Sequence, residues 1–138
     1  MRIGLAVVIF CLFMSACSTS KPSSAGTTKK SESNTEDFDA FYDKFHKDMV
    51  FQKSRTKFPL DGRLITEGKE YKWTPENLPL MKVKIYDVDK KTYKISYDKK
   101  ENSFFQKVWL PGSGFKSEAK FELINNKWYL VYVLDQNF

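Results

Sequence analysis

The chain has 138 residues, of which 29% are charged and 16% aromatic, and a formal net charge of +6 at pH 7. Arg2, Lys21, Lys29, Lys30 and Glu32 lie ahead of residue 36, which leaves 19 Lys and Arg against 16 Asp and Glu over residues 36–138. Those charges are interspersed, so the concentrated basic face that nucleic acid requires is missing, and the length allows one small domain with a single core.

The N-terminus reads as an address. Arg2 precedes an apolar stretch from Ile3 to Met14, too short for a bilayer span of about 20 residues but suited to a signal-peptide core. Met14-Ser15-Ala16-Cys17 resembles the bacterial lipobox, with Met14 standing where Leu is usual. The resemblance implies cleavage after residue 16 and lipid on Cys17, hence anchorage to a membrane. Ser18–Thr35 holds six Ser, four Thr and no large apolar side chain; such a segment buries too little to offset its ordering entropy and is expected to be a flexible tether. The expected organisation is a signal peptide over 1–16, lipidated Cys17 and tether over 17–35, and one domain over 36–138. Cys11 leaves with the signal peptide, so residues 36–138 contain no thiol.

The domain opens on an amphipathic helix, with Phe38, Phe41, Tyr42, Phe45 and Met49 on one stripe at helical spacing. Phe51–Leu60 is irregular, Pro59 ends any helix, and Asp61-Gly62 signals a turn. Thr74-Pro75-Glu76 reads as a capped helical turn. Lys82–Val88 and Thr92–Tyr97 alternate as a hairpin around Asp89-Lys90-Lys91, followed by strands over Phe104–Leu110, Phe115–Ile124 and Lys127–Leu134. Pro111–Gly114 reverses the chain, and Asn125-Asn126 suits a two-residue hairpin loop. That loop pairs Ile124 with Lys127 and Phe121 with Leu130. It gives a core face of Ala119, Phe121, Leu123, Trp128, Leu130 and Tyr132, and an outer row of Tyr129, Val131 and Val133 suited to a protein partner or a homodimer. The expected fold class is α+β: an N-terminal amphipathic helix packed on a curved, mostly antiparallel sheet.

Asn126-Lys127-Trp128-Tyr129-Leu130-Val131 resembles the closing strand of nuclear-transport-factor-2-like cone folds, which commonly reads Asn/Asp-Gly-Lys-Trp-x-Leu-Val; here Asn replaces the turn glycine. Phe38–Leu60, with Phe41, Phe45, Asp48, Phe51-Gln52, Ser54-Arg55 and Phe58-Pro59-Leu60, resembles a family of short Bacteroidota lipoproteins known only as domain-of-unknown-function family 4348. The resemblance implies a cone-like fold and an envelope location, and no activity.

Candidate chemistry is sparse. His46 is the only histidine and sits at the edge of the helical stripe; Tyr42, His46 and Tyr132 are the candidate pocket rim. A cone-fold lyase or isomerase would need an inward acid beside Tyr42, Tyr97 or Tyr132, and the strand carboxylates fall on polar faces. Asp87-Val88-Asp89 lacks the glycine and glutamate of a calcium loop, and Gly112-Ser113-Gly114 lacks a lysine or helix behind it, so neither metal nor cofactor is expected. Arg55 and Arg63 suit a carboxylate clamp or ion pairs with Asp61 and Glu67. The expected function is a non-catalytic module for a small ligand or an envelope protein, with the cone-fold enzyme as the alternative. Ser18 after the lipidated cysteine points to the outer membrane, facing the periplasm.

Overall fold

The computed structural model describes residues 34–138, so the expected signal peptide, Cys17 and most of the expected tether lie outside the described residues. Helix α1, Phe38–Lys47, starts at Asp37, whose Oδ1 accepts from the Ala40 N–H at 2.8 Å. The apolar stripe stops one turn earlier than its spacing suggests. Asp48 leaves the helical conformation and caps a second helix, α2, Met49–Ser54, by accepting from the Phe51 N–H at 3.0 Å. Met49 consequently turns outward, 53% exposed, and Gln52 is buried in its stead.

Six strands follow: β1 Thr56–Thr66, β2 Lys69–Tyr71, β3 Lys94–Lys99, β4 Ser103–Trp109, β5 Lys116–Ile124 and β6 Lys127–Asn137. They form one curved sheet in the order β2-β1-β6-β5-β4-β3, in which only the β1–β6 pairing is parallel. The last strand is thus central. The fold is α+β, with α1 laid across one face of the sheet.

Strand β1 runs through residues that read as a helix stop and a turn. Pro59, joined to Phe58 by a cis peptide bond, and Gly62, at φ +91°, both lie inside it, Pro59 in the stretch between Thr56 and Asp61 where the pairing with β6 is irregular and Gly62 just beyond it, opposite Val133. Gly62 is there for close approach: a Cβ would stand 1.9 Å from the Val133 carbonyl oxygen. Conversely, Lys82–Val88 is no strand. It contains a 3₁₀ turn, Ile85–Asp87, because the Ile85 N–H donates to the Tyr42 hydroxyl at 3.0 Å and ties this segment to α1. Ile85 is buried while Val83 is 58% exposed, and Asp89 caps the next turn through the Lys91 N–H and the Thr92 hydroxyl.

The terminal hairpin turns through Asn125 and Asn126, both with positive φ (50° and 63°), and pairs Ile124 with Lys127, Leu123 with Trp128 and Phe121 with Leu130. Beyond Phe121 a bulge inserts one residue on β6, so Lys120 faces Tyr132 and Ala119 faces Val133. The expected faces are therefore corrected from this point onward. Val133, placed on the outer row by simple alternation, is 6% exposed in the core, and Tyr132 points to the outer face.

The core is aromatic throughout. Phe38 lies 4.7 Å from Phe104 and 4.8 Å from Trp128, and Phe45 lies 5.2 Å from Phe121, centroid to centroid. Each such pair contributes about 0.5–1.5 kcal/mol beyond the area it buries. No helix among the described residues is long and apolar enough to cross a membrane.

Candidate functional site

Four polar side chains, Tyr42, His46, Gln52 and Gln106, are built into the helix-side interior. Tyr42 on α1 donates its hydroxyl proton to Gln106 Oε1 on β4 and accepts from the Ile85 N–H. Burial pushes the Tyr42 phenol well above its usual range, so it stays protonated. His46, one turn on, packs edge-on against Tyr42 at 4.4 Å, and its Nδ1 stands 2.8 Å from the Tyr42 carbonyl oxygen. Gln52 donates to the Phe45 and Met81 carbonyls, each at 2.8 Å, and accepts from the Met81 N–H at 2.9 Å. The amide thereby serves as a one-residue strand partner that holds the segment around Met81 against the helices.

The candidate rim is thus split. Tyr42 and His46 lie together on the helix side, filled in by Phe104 and Phe121, whereas Tyr132 lies on the opposite face and donates to Glu118 at 3.1 Å. Of the expected interface row, Tyr129 and Val131 remain partly exposed and Val133 is withdrawn. Tyr97, half-exposed, packs edge-on against Tyr86.

One inward acid escaped the sequence reading. Two positions beyond Val133, the bulge also brings Asp135 to the helix-side face, in a row with Leu64, Ser117, Val108 and Ile95. Its carboxyl is raised above the usual carboxylate range by burial alone. Simple alternation assigns Asp135 to the outer face, and only the bulge reverses it.

The arginines find other partners than Asp61 and Glu67. Arg55 makes a two-pronged ion pair with Glu36 at 2.8 and 2.9 Å and donates to the Trp128 carbonyl at 3.0 Å. Arg63 pairs with Glu70 at 2.6 Å on the surface. Among the described residues, no three His, Cys, Asp or Glu side chains converge to hold a metal ion.

Two concave surfaces flank Gln52. A half-open groove of about 500 Å³ runs between α2, β1 and residues 75–80, lined by Thr56, Phe58, Pro75, Leu78, Pro79 and Leu80, with Lys53 and Glu76 among its polar members. A smaller cavity of about 170 Å³ lies beside His46. Leu80 borders both.

A family model described as "-like:-like" matches residues 36–138. The chain belongs to that family. Its fold is similar to an NTF2-like protein of Bacteroides fragilis NCTC 9343, with 18% identity and a TM-score of 0.52 over 75% of this chain. The match takes in 48% of that protein, so this chain spans about half its length. A protein of Bacteroides uniformis ATCC 8492 shares 24% identity with a TM-score of 0.50, covering 75% of this chain and 77% of its own. A cystatin-like protein of Bacteroides caccae ATCC 43185 shares 26% identity with a TM-score of 0.50, covering 72% and 76%. No curated protein matches the chain.

Proposed function

We propose that this is a lipid-anchored envelope protein whose domain is a non-catalytic binding module for a small, largely apolar ligand. The observation that carries the reading is the groove beside Gln52. Its volume falls in the range of small-molecule sites, and apolar walls with a few polar members are what such sites require. The helix side, where a cone-fold enzyme would work, is instead packed with Phe38, Phe45, Phe104, Phe121 and Trp128. Lys53 supplies a cation for an acidic head group, which makes a medium-chain fatty acid a suitable first probe.

Titration of the domain with decanoate, followed by amide NMR, should move Phe58, Leu78 and Leu80 together and saturate, and Phe58→Ala should weaken the response. Shifts scattered over the surface without saturation would sink the small-ligand reading.

Anchorage rests on the lipobox-like Met14–Cys17 and on the likeness of Phe38–Leu60 to the lipoprotein family of unknown function. Radiolabelled palmitate should enter the wild-type protein in cells and not Cys17→Ser. Location on the periplasmic side of the outer membrane predicts protection from protease added to intact cells.

A cone-fold lyase or isomerase is the second reading, favoured by one observation, the inward Asp135 with its raised carboxyl. An ordinary carboxylate titration for Asp135 by NMR would remove that support.

A further inference from the structure

The compact unit Ser33–Phe138 contains one imidazole, His46, two thioethers, Met49 and Met81, and no thiol. All three residues border the same cavity of about 170 Å³, together with Phe45, Lys47, Gln52, Leu80 and Lys82, and Met49 also stands half-exposed to solvent at its edge. Every imidazole- and thioether-bearing residue of the unit therefore borders one cavity, contributed by α1, α2 and the segment ahead of the 3₁₀ turn.

The imidazole is committed to one tautomer. Its Nδ1 lies 2.8 Å from the Tyr42 carbonyl oxygen, and a carbonyl only accepts, so Nδ1 carries the proton. Nε2 is then a lone pair, and it is buried with no hydrogen-bond partner among the described residues. An imidazole that donates one nitrogen to a backbone carbonyl and keeps the other free is arranged as metal-ligating histidines are. The two segments bearing the thioethers are held as well. Asp48 caps the turn at Met49, and Gln52 grips both backbone polar groups of Met81.

We propose that His46 Nε2, Met49 and Met81 form a binding site for a soft monovalent cation, with Cu(I) as the ion of that class met in cells. Thioethers with one imidazole select soft ions over Zn(II), Mg(II) or Ca(II). Lys47 and Lys82 border the cavity, and Lys84 on one side and Asp87 and Asp43 on the other act on His46 with opposite signs. Asp43 draws Lys47 away at 2.6 Å and Lys84 at 3.2 Å.

The test uses Ag(I), an oxygen-stable ion of the same class, added as the nitrate in chloride-free buffer to the Ser33–Phe138 unit. That unit carries its whole core and no competing cysteine. Saturation at one ion per chain is expected, with the ¹⁵N resonance of His46 Nε2 and the methyl resonances of Met49 and Met81 moving together. Cu(I) should be taken from a chromogenic chelator with the same stoichiometry, and Zn(II) should leave all three signals in place. His46→Gln should lose the one-to-one phase. The volume-conserving pair Met49→Leu with Met81→Leu should lose it while keeping the fold, which decides the matter even if the His46 variant does not fold. The proposal is overturned if Ag(I) does not saturate, if the Nε2 resonance stays still, or if the double methionine variant binds as wild type does.

Discussion

Val133 stands opposite Ala119 on the helix-side face, one residue further along β6 than an unbroken register from Asn125-Asn126 would bring it. That single inserted residue decides which side chains of the last strand belong to the core. Two substitutions two positions apart should therefore behave oppositely to the simple alternating pattern. Val133→Asp places an unpaired charge in the core and should cost about 3–5 kcal/mol. Val131→Asp, at the partly exposed bulge, should cost less than about 1 kcal/mol. Urea unfolding of the two variants measures the difference, and equal losses would mean that no bulge operates in solution.

The Glu36–Arg55 pair is the clasp that closes the domain. Glu36 binds both prongs of Arg55, accepts from the Trp128 N–H at 2.8 Å, and offers its carbonyl to the Trp128 indole at 3.0 Å. Its own N–H donates to the Asn126 carbonyl at 2.9 Å. The guanidinium also lies over Phe51 and Tyr129. Arg55→Met strands a carboxylate that is three-quarters buried and should cost about 2–3 kcal/mol, less than a fully buried pair because water still reaches both groups. Truncation through residue 35 should leave the melting temperature unchanged, whereas truncation through residue 36 should lower it. Equal melting temperatures for the two truncations would refute the clasp.

Periodicity made α1, β4, β5 and β6 legible, because each has one dry face whose spacing survives in the sequence. What was lost has local causes. Asp48 breaks the stripe between Phe45 and Met49 by capping a new helix, a feature that looks like any polar residue on a helix face. Strand β1 hides behind Pro59, tolerated where the pairing with β6 is irregular, and Gly62, required where the backbones approach closely. The false strand at Lys82–Val88 alternates correctly, yet only Ile85 is buried, since its partner is the Tyr42 hydroxyl rather than a neighbouring strand. Asp135 was unreadable as an inward acid because a bulge leaves no mark in residue type.

Tyr42 is the hub of the buried polar cluster, and Tyr42→Phe separates its hydroxyl from its ring. The ring contacts with Phe38, Phe104 and Phe121 persist. The Ile85 N–H and Gln106 Oε1 each lose a partner, which should cost about 2–4 kcal/mol for two buried groups left unsatisfied. Amide exchange should speed up most at Ile85, and an unchanged rate there would show that the hydroxyl does not hold the 3₁₀ turn.

His46 and Asp135 give stability opposite dependences on pH. The His46 ring titrates below its usual value in the folded chain, so the unfolded chain binds the extra proton first. Its contribution is present above about pH 6.5 and is lost as pH falls through the lowered folded value. Asp135 is raised when folded, so its contribution is full below the ordinary carboxylate range and is lost as pH rises through the raised value. Asp135→Asn should therefore stabilise the protein at pH 7, where the wild-type carboxyl must ionise against burial, and the gain should vanish below about pH 4. His46→Gln should flatten the loss of stability between pH 7 and pH 5. Urea midpoints of the three proteins at pH 3.5, 5, 6 and 7 resolve both effects, and an Asp135→Asn gain that persists unchanged at pH 3.5 would show that it comes from packing rather than from charge.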